Sequence, residues 1–214
     1  MALRGLITDW GGVLTSPLGD SITTWLTADQ IDAEGYRTLM RAWVTQAYDD
    51  TGRNPIHGLE DGTLDPAEFE RQLAVELRTV DGGPVAPEGL IKRMFMTFEP
   101  VEQMYDLLRQ ARRHGLLTGL LSNSWGNDYP RARFTELFDA VVISCEVGMR
   151  KPDERIFRHA AAEIGLASNE CVFVDDIEHN VRAAEAVGMV GVHHVSPGET
   201  RAALEELFGV SLGN

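Results

Sequence analysis

Lysine is nearly missing from this 214-residue chain: Lys92 and Lys151 stand among 19 basic residues. A lysine in a chain that otherwise uses arginine calls for a reason at its position, the plain alternative being chance. Cysteine is equally rare, with Cys145 and Cys171 each inside an apolar, strand-like run. Two such thiols read as buried and reduced rather than as a disulfide or a metal pair. Positive charge in general is short. Acids outnumber bases 33 to 19, for a formal net charge of −14. That field repels a phosphate backbone and argues against nucleic acid as a partner. It also repels small anions unless a local cation offsets it. No apolar run approaches membrane-spanning length, and the first residues lack the long apolar segment and cleavage site of a secretory signal. The expectation is a cytoplasmic chain without membrane or nucleic-acid partners. The apolar fraction, 43%, is ordinary for a protein with a full core. The length suits one domain or a domain with a sizeable insertion.

What is present is organised around residues 1–16, MALRGLITDWGGVLTS. Leu3, Leu6 and Ile7 form an apolar run that stops at Asp9, and Gly11 and Gly12 follow, where the backbone can turn tightly. The pattern predicts a buried strand with a carboxylate at its C-terminal end; a turn aspartate is the bland alternative. Residues 17–97 have a different texture. Helical patterns run through 21–27, 33–48, 66–77 and 87–98, with no convincing strand. Asp65-Pro66 with Glu68 has the form of an N-cap, a first-turn proline and a first-turn acid. Asn54, Pro55, Gly58 and Gly62 predict a loop between helix pairs. Asp61-Gly62-Thr63-Leu64 has the letters of a phosphatase nucleophile loop, but no apolar strand precedes it, so Asp61 reads as a loop residue. From residue 100 helices and strands alternate, with strands predicted at 116–121, 140–144, 171–174 and 190–194. That alternation implies a parallel sheet covered on both faces. The domain boundaries that follow are 1–16 with 98–214 for an α/β unit and 17–97 for a helical insertion.

Three predicted strands end in polar groups: Asp9, Ser122 and Asp175-Asp176. The loop before the helix that starts near Asp153 adds Lys151. Strand ends of a parallel sheet converge on one edge, where sites form. Each group alone has a structural explanation: turn chemistry for Ser122-Asn123, a solvated charge for Lys151, helix capping for Asp175-Asp176. Together, in this order, they are hard to explain as structure. Two adjacent acids beside Asp9 would repel unless a cation were shared, and oxygen ligands with room for water suit Mg²⁺.

The order of motifs resembles the haloacid dehalogenase superfamily with a helical cap inserted after the first strand. ITDWGGVLT resembles its first motif, LLSNS the second, ISCEVGMRKPDERIF the third and CVFVDDIEHNVRAAEAVGM the fourth. The chain looks closest to the branch that contains the N-terminal phosphatase domain of soluble epoxide hydrolase. No G-x-S-x-G elbow is present to supply epoxide hydrolysis. The resemblance implies a Rossmann-like parallel sheet sandwiched by helices, with an all-helical cap. It implies a Mg²⁺-dependent phosphatase acting on a small phosphorylated metabolite. Asp9 would form an aspartyl-phosphate; Ser122 and Asn123 would bind the phosphoryl group. Lys151 would neutralise the phosphoryl charge. Asp9, the Gly11 carbonyl, Asp176 and, directly or through water, Asp175 would hold the metal.

One departure is Gly11. Most phosphatases of the superfamily carry a second aspartate there as general acid and base, a function worth roughly 10²–10⁴-fold. The leaving oxygen would then depart unprotonated or take its proton from water, the substrate or the cap, with Asp20 and His57 as the cap candidates. A metal-independent dehalogenase also lacks that aspartate, but the Asp175-Asp176 pair argues against it. A phosphonate-cleaving relative needs a cap lysine, and residues 17–91 contain none. A non-catalytic phosphate- or partner-binding protein is the reading from a different class. Trp25, Tyr36, Arg37, Trp43 and Tyr48 are candidates for choosing the leaving group, although a helical cap needs most of its aromatics for its own core.

Overall fold

The computed structural model describes residues 2–46, 54–126 and 128–213. Among these residues there are five strands: β1 (Gly5–Thr8), β2 (Leu117–Ser122), β3 (Ala140–Ile143), β4 (Cys171–Asp175) and β5 (Val190–His193). They form one parallel sheet in the order β3-β2-β1-β4-β5. β1 is central, pairing Gly5 with Leu117 on one side and with Cys171 on the other. Its four residues are all buried, as a strand flanked on both edges and covered on both faces requires. Successive side chains point to opposite faces of a strand. Leu6, Val172 and Val174 therefore enter one apolar core, while Ile7, Cys171 and Phe173 enter the other.

Helices α1 (Leu18–Ala28), α2 (Ala33–Gln46), α3 (Pro55–Glu60), α4 (Pro66–Glu76) and α5 (Leu90–Phe95) lie between β1 and β2 in the chain. They pack around a third apolar cluster of their own. Trp25, Tyr36 and Trp43 belong to it, and Trp25 meets Tyr36 edge-to-face at 5.6 Å. Arg37 is exposed, and Tyr48 lies outside the described residues. The chain enters and leaves this unit through two adjacent segments. Ser16 donates to the Glu99 carbonyl at 2.8 Å, and Val101 donates to the Leu14 carbonyl at 3.0 Å.

The segment expected to be a loop around Asn54 folds as α3. The Asn54 side chain accepts from the Ile56 amide, and Pro55 takes the first helical position, where its missing N–H costs nothing. Asp61 is the C-cap of that helix, and its carboxylate accepts from Thr63.

The remaining helices are α6 (Glu102–Arg113), α7 (Arg131–Leu137), α8 (Ser144–Val147), α9 (Glu154–Glu163), α10 (Glu178–Ala186) and α11 (Pro197–Phe208). Among the described residues no helix is long and apolar enough to cross a membrane.

Candidate active site

Asp9 leaves the C-terminal end of β1 with its amide donating to the Val174 carbonyl at 2.8 Å. The register of the central strand thus fixes the carboxylate beside the end of β4. The turn that follows is tight. Leu14 donates back to the Trp10 carbonyl, and the Gly12 amide donates to Thr15 Oγ1. Gly12 has φ +74°, and a Cβ there would lie 2.1 Å from Asp176 Oδ2. Only glycine serves both needs: the left-handed backbone and the space for the carboxylate.

Lys151 is 2% exposed. Its Nζ sits 2.9 Å from Asp9 Oδ1 and 2.6 Å from Asp175 Oδ2. Burial pulls the ammonium down, but Asp175 and Asp9 outweigh it and hold its pKa above the ordinary lysine value. The Lys151 backbone is held to the end of β2. Its amide donates to Asn123 Oδ1 at 2.8 Å, and Asn123 Nδ2 donates to the Lys151 carbonyl at 3.0 Å. The Asn123 carboxamide thus ties the lysine loop to the end of β2 and also reaches Glu60, and Asn123 lines the cavity. The Ser122 hydroxyl lies 3.0 Å from the Tyr129 hydroxyl, a neighbour that the sequence did not reveal.

Asp175 is fully buried, and both oxygens are engaged: by Lys151, by Asn180 Nδ2 at 3.1 and 3.2 Å, and by the Ile177 amide at 2.8 Å. Asp176 instead faces the cavity with Asp9 and Gly11. The carboxylates of Asp9, Asp175 and Asp176 each offer an oxygen within 4.8 Å of the others. Burial pushes Asp9 up to about 7; Lys151 opposes this, while Asp175 and Asp176 add to it. Burial and Asp175 likewise raise Asp176. One ammonium against three carboxylates leaves an excess of negative charge. The all-oxygen donor set suits a hard divalent cation, with Asp175, whose oxygens are already engaged, the least free to take it directly.

The cavity above this cluster is about 190 Å³. Trp10, Leu18, Phe95, Phe98, Trp125 and Ile177 make it largely apolar. A wider depression of about 430 Å³ adjoins Trp10 and Phe95 but is lined by none of Asp9, Lys151 or Asp176. Neither Asp20 nor His57, the expected proton donors, lines the cavity; Glu60 does. Glu60 is the last residue of α3 and is 9% exposed. It receives Trp125 Nε1 at 3.1 Å and Arg150 Nη1 at 3.2 Å, and Arg150 Nη2 donates to His57 Nε2 at 2.7 Å. Glu60, Trp125 and Arg150 stand at no strand end or motif position that would mark them as site residues in the sequence. The available signal was the position of Arg150 directly before Lys151.

A parallel α/β sheet with helices inserted after its first strand, and carboxylates converging at its C-terminal edge, defines a Rossmann-like hydrolase class. The chain belongs to the haloacid dehalogenase-like hydrolases, whose family model matches residues 3–188. It is 31% identical to the sesquiterpene phosphatase astK of Aspergillus oryzae, over 70% of this chain and 77% of that one. It is 32% identical to phosphatase MT3486 of Mycobacterium tuberculosis, over 94% of this chain and 91% of that one. Bifunctional epoxide hydrolase 2 of Sus scrofa is 28% identical over 99% of this chain, which spans only 40% of that protein. Among solved structures, a haloacid dehalogenase family enzyme of Bacteroides thetaiotaomicron, in complex with magnesium and inorganic phosphate, shares the fold. It has a TM-score of 0.61 and 20% identity, over 90% of this chain and 94% of that one. The chain is thus a hydrolase of a family with phosphatases among its relatives.

Proposed function

We propose that this chain is a Mg²⁺-dependent phosphomonoesterase for a small organic phosphate. The observation that carries this reading is Lys151 Nζ, buried between Asp9 at 2.9 Å and Asp175 at 2.6 Å at the floor of the cavity. Phosphoryl transfer asks mainly for positioning and for positive charge where the phosphoryl oxygens gather. Asp9 is the nucleophile: its oxygen attacks phosphorus and forms an aspartyl-phosphate. Lys151 keeps Asp9 in place and meets the negative charge of the incoming phosphoryl group. Asp175, held by Asn180 and Ile177, keeps Lys151 aimed. Ser122 presents a hydroxyl to a phosphoryl oxygen. Asp9, Asp176 and the Gly11 carbonyl would hold Mg²⁺, with Asp175 beside them. Bound there, the ion would offset the carboxylates and the phosphoryl charge so that one anion can approach another.

The helices of residues 17–97 act as a cap that brings Glu60, Phe95 and Leu18 over the cluster. The apolar walls of the cavity, Leu18 and Phe95 from the cap and Trp10, Phe98, Trp125 and Ile177 from outside it, favour a leaving alcohol with an apolar body, which agrees with the sesquiterpene phosphatase name of one relative. The test is phosphate release from an aryl phosphate. The wild type should be active with Mg²⁺ and inactive in EDTA. Asp9→Asn should be folded and inactive. Asp61→Asn, in the look-alike turn, should keep nearly full activity. Unchanged turnover in Asp9→Asn would refute the mechanism.

A further inference from the structure

The phosphatase reading leaves a proton unaccounted for. When phosphorus passes to Asp9, the bond to the leaving oxygen breaks and its electron pair stays on that oxygen. An alkoxide leaves poorly, so an acid must protonate it. In the second half, water attacks the aspartyl-phosphate and must lose a proton. Gly11, beside Asp9, has no side chain to do either.

Among the described residues that line the cavity, four side chains titrate: Asp9, Lys151, Asp176 and Glu60. Asp9 is the nucleophile, Lys151 is locked between two carboxylates, and Asp176 belongs to the cation-binding cluster. Glu60 alone is carried by the inserted helices, on the side of the cavity where a leaving group would lie. We propose that Glu60 is the general acid and base of the reaction. Its protonated carboxyl gives the proton to the leaving oxygen as the phosphorus–oxygen bond breaks. The carboxylate left behind takes the proton of the attacking water as the Asp9–phosphorus bond breaks. Each cycle returns Asp9 ionised and Glu60 protonated.

The surroundings suit that exchange. Burial pushes the Glu60 carboxyl above its ordinary range; Arg150, Trp125, Lys151 and Asn123 pull the other way without cancelling it. The charged groups facing it are Arg150 and Lys151, both from the loop before α9. On its own helix, His57 accepts from Arg150 and is lowered to about 4 by burial and by Arg150, with Asp61 opposing, so it stays neutral near pH 7. Trp125 and Arg150 fix the two oxygens of Glu60 from the α/β side. The acid is therefore aligned only while the helical unit rests on the sheet edge.

The proposal rests on the phosphatase reading, and one experiment separates the two. The measurement is kcat/KM with Mg²⁺ for a series of aryl and alkyl phosphates of rising leaving-group pKa. If the wild type hydrolyses no member, the phosphatase reading fails. If it does, Glu60→Gln should steepen the dependence on leaving-group pKa, with alkyl phosphates losing roughly 10²–10⁴-fold and aryl phosphates much less. A merely structural Glu60 would lower every substrate alike, and parallel lines overturn the proposal. The double variant Gly11→Asp/Glu60→Gln should regain alkyl phosphate turnover. Position 11 allows this, since a Cβ there meets no atom within 4 Å and its backbone lies outside the left-handed region. Should Glu60→Gln fail to fold, the wild-type pH profiles decide. Alkyl phosphates should show a loss of kcat/KM on the alkaline side that the most acidic aryl leaving group lacks; identical profiles overturn the proposal.

Discussion

Replacing Lys151 by Met isolates the electrostatics of the site from its chemistry. Methionine keeps most of the length and apolar stem of lysine and removes the charge. The Lys151 side chain is 1% exposed and touches two carboxylates that are themselves 10% and 0% exposed. At these distances each contact is worth roughly 6 kcal/mol of Coulomb energy at an effective dielectric of about 20. Much of that is returned as desolvation, and removing one partner of a buried pair costs about 3–5 kcal/mol net. Against a total stability of about 5–15 kcal/mol, this is a large fraction. For a chain of this length it corresponds to a fall in Tm of roughly 6–20 °C. The assay is urea and thermal unfolding in EDTA at neutral pH. Asp9, already raised to about 7 with the ammonium beside it, takes up a proton as the pH falls, so the penalty should shrink in acid. Adding Asp175→Asn to Lys151→Met removes the second uncompensated charge and should recover part of the loss, a non-additive result. A Lys151→Met protein as stable as the wild type in EDTA would refute the reasoning. It would mean that the ammonium does not hold the cluster together.

Other outcomes follow from the same geometry. Mg²⁺ should raise the Tm by mass action, with about 2.7 kcal/mol of stabilisation at one hundred times Kd; Asp176→Ala should abolish both the shift and the activity, and a persisting shift would place the ion elsewhere. Gly12→Ala forces a Cβ to within 2.1 Å of Asp176 Oδ2 at φ +74°. It should cost about 1–3 kcal/mol of stability and weaken the Mg²⁺-dependent Tm shift, both readable from melting curves with and without the ion.

Much of the fold was legible because its signals are local. The apolar runs ending at Asp9, Ser122 and Asp175 mark strands by composition, and Gly115, Gly165 and Gly188 follow three helices with positive φ. Parallel strand ends share an edge by topology alone, so the meeting of Asp9, Lys151, Asp175 and Asp176 could be anticipated. The 55–60 segment was misread because Pro55 and Gly58 are common loop residues, while the Asn54 cap decides the matter through one hydrogen bond. Glu60 was missed for a different reason. Its significance comes from Arg150, 90 positions away, and from Trp125, 65 positions away. Periodicity carries no record of such pairings. The position of Asn123 at a strand end was visible in the sequence, whereas the grip of its carboxamide on the Lys151 backbone was not.

The place of β1 also sets the timing of maturation. It precedes β2 to β5 in the chain, yet its neighbours are β2, which begins at Leu117, and β4, which begins at Cys171. Parallel pairing across such separations requires long loops to close before any hydrogen bond rewards them. The nascent chain must therefore carry β1 as an unpaired apolar strand until β2 has been made. The helices that follow β1 have their own apolar cluster and can condense meanwhile. Asp9 acquires its partner at the Val174 carbonyl only when β4 docks. Asp9 is thus translated well before the residues that surround it, and a ribosome-bound fragment ending before residue 175 cannot hold the carboxylate cluster.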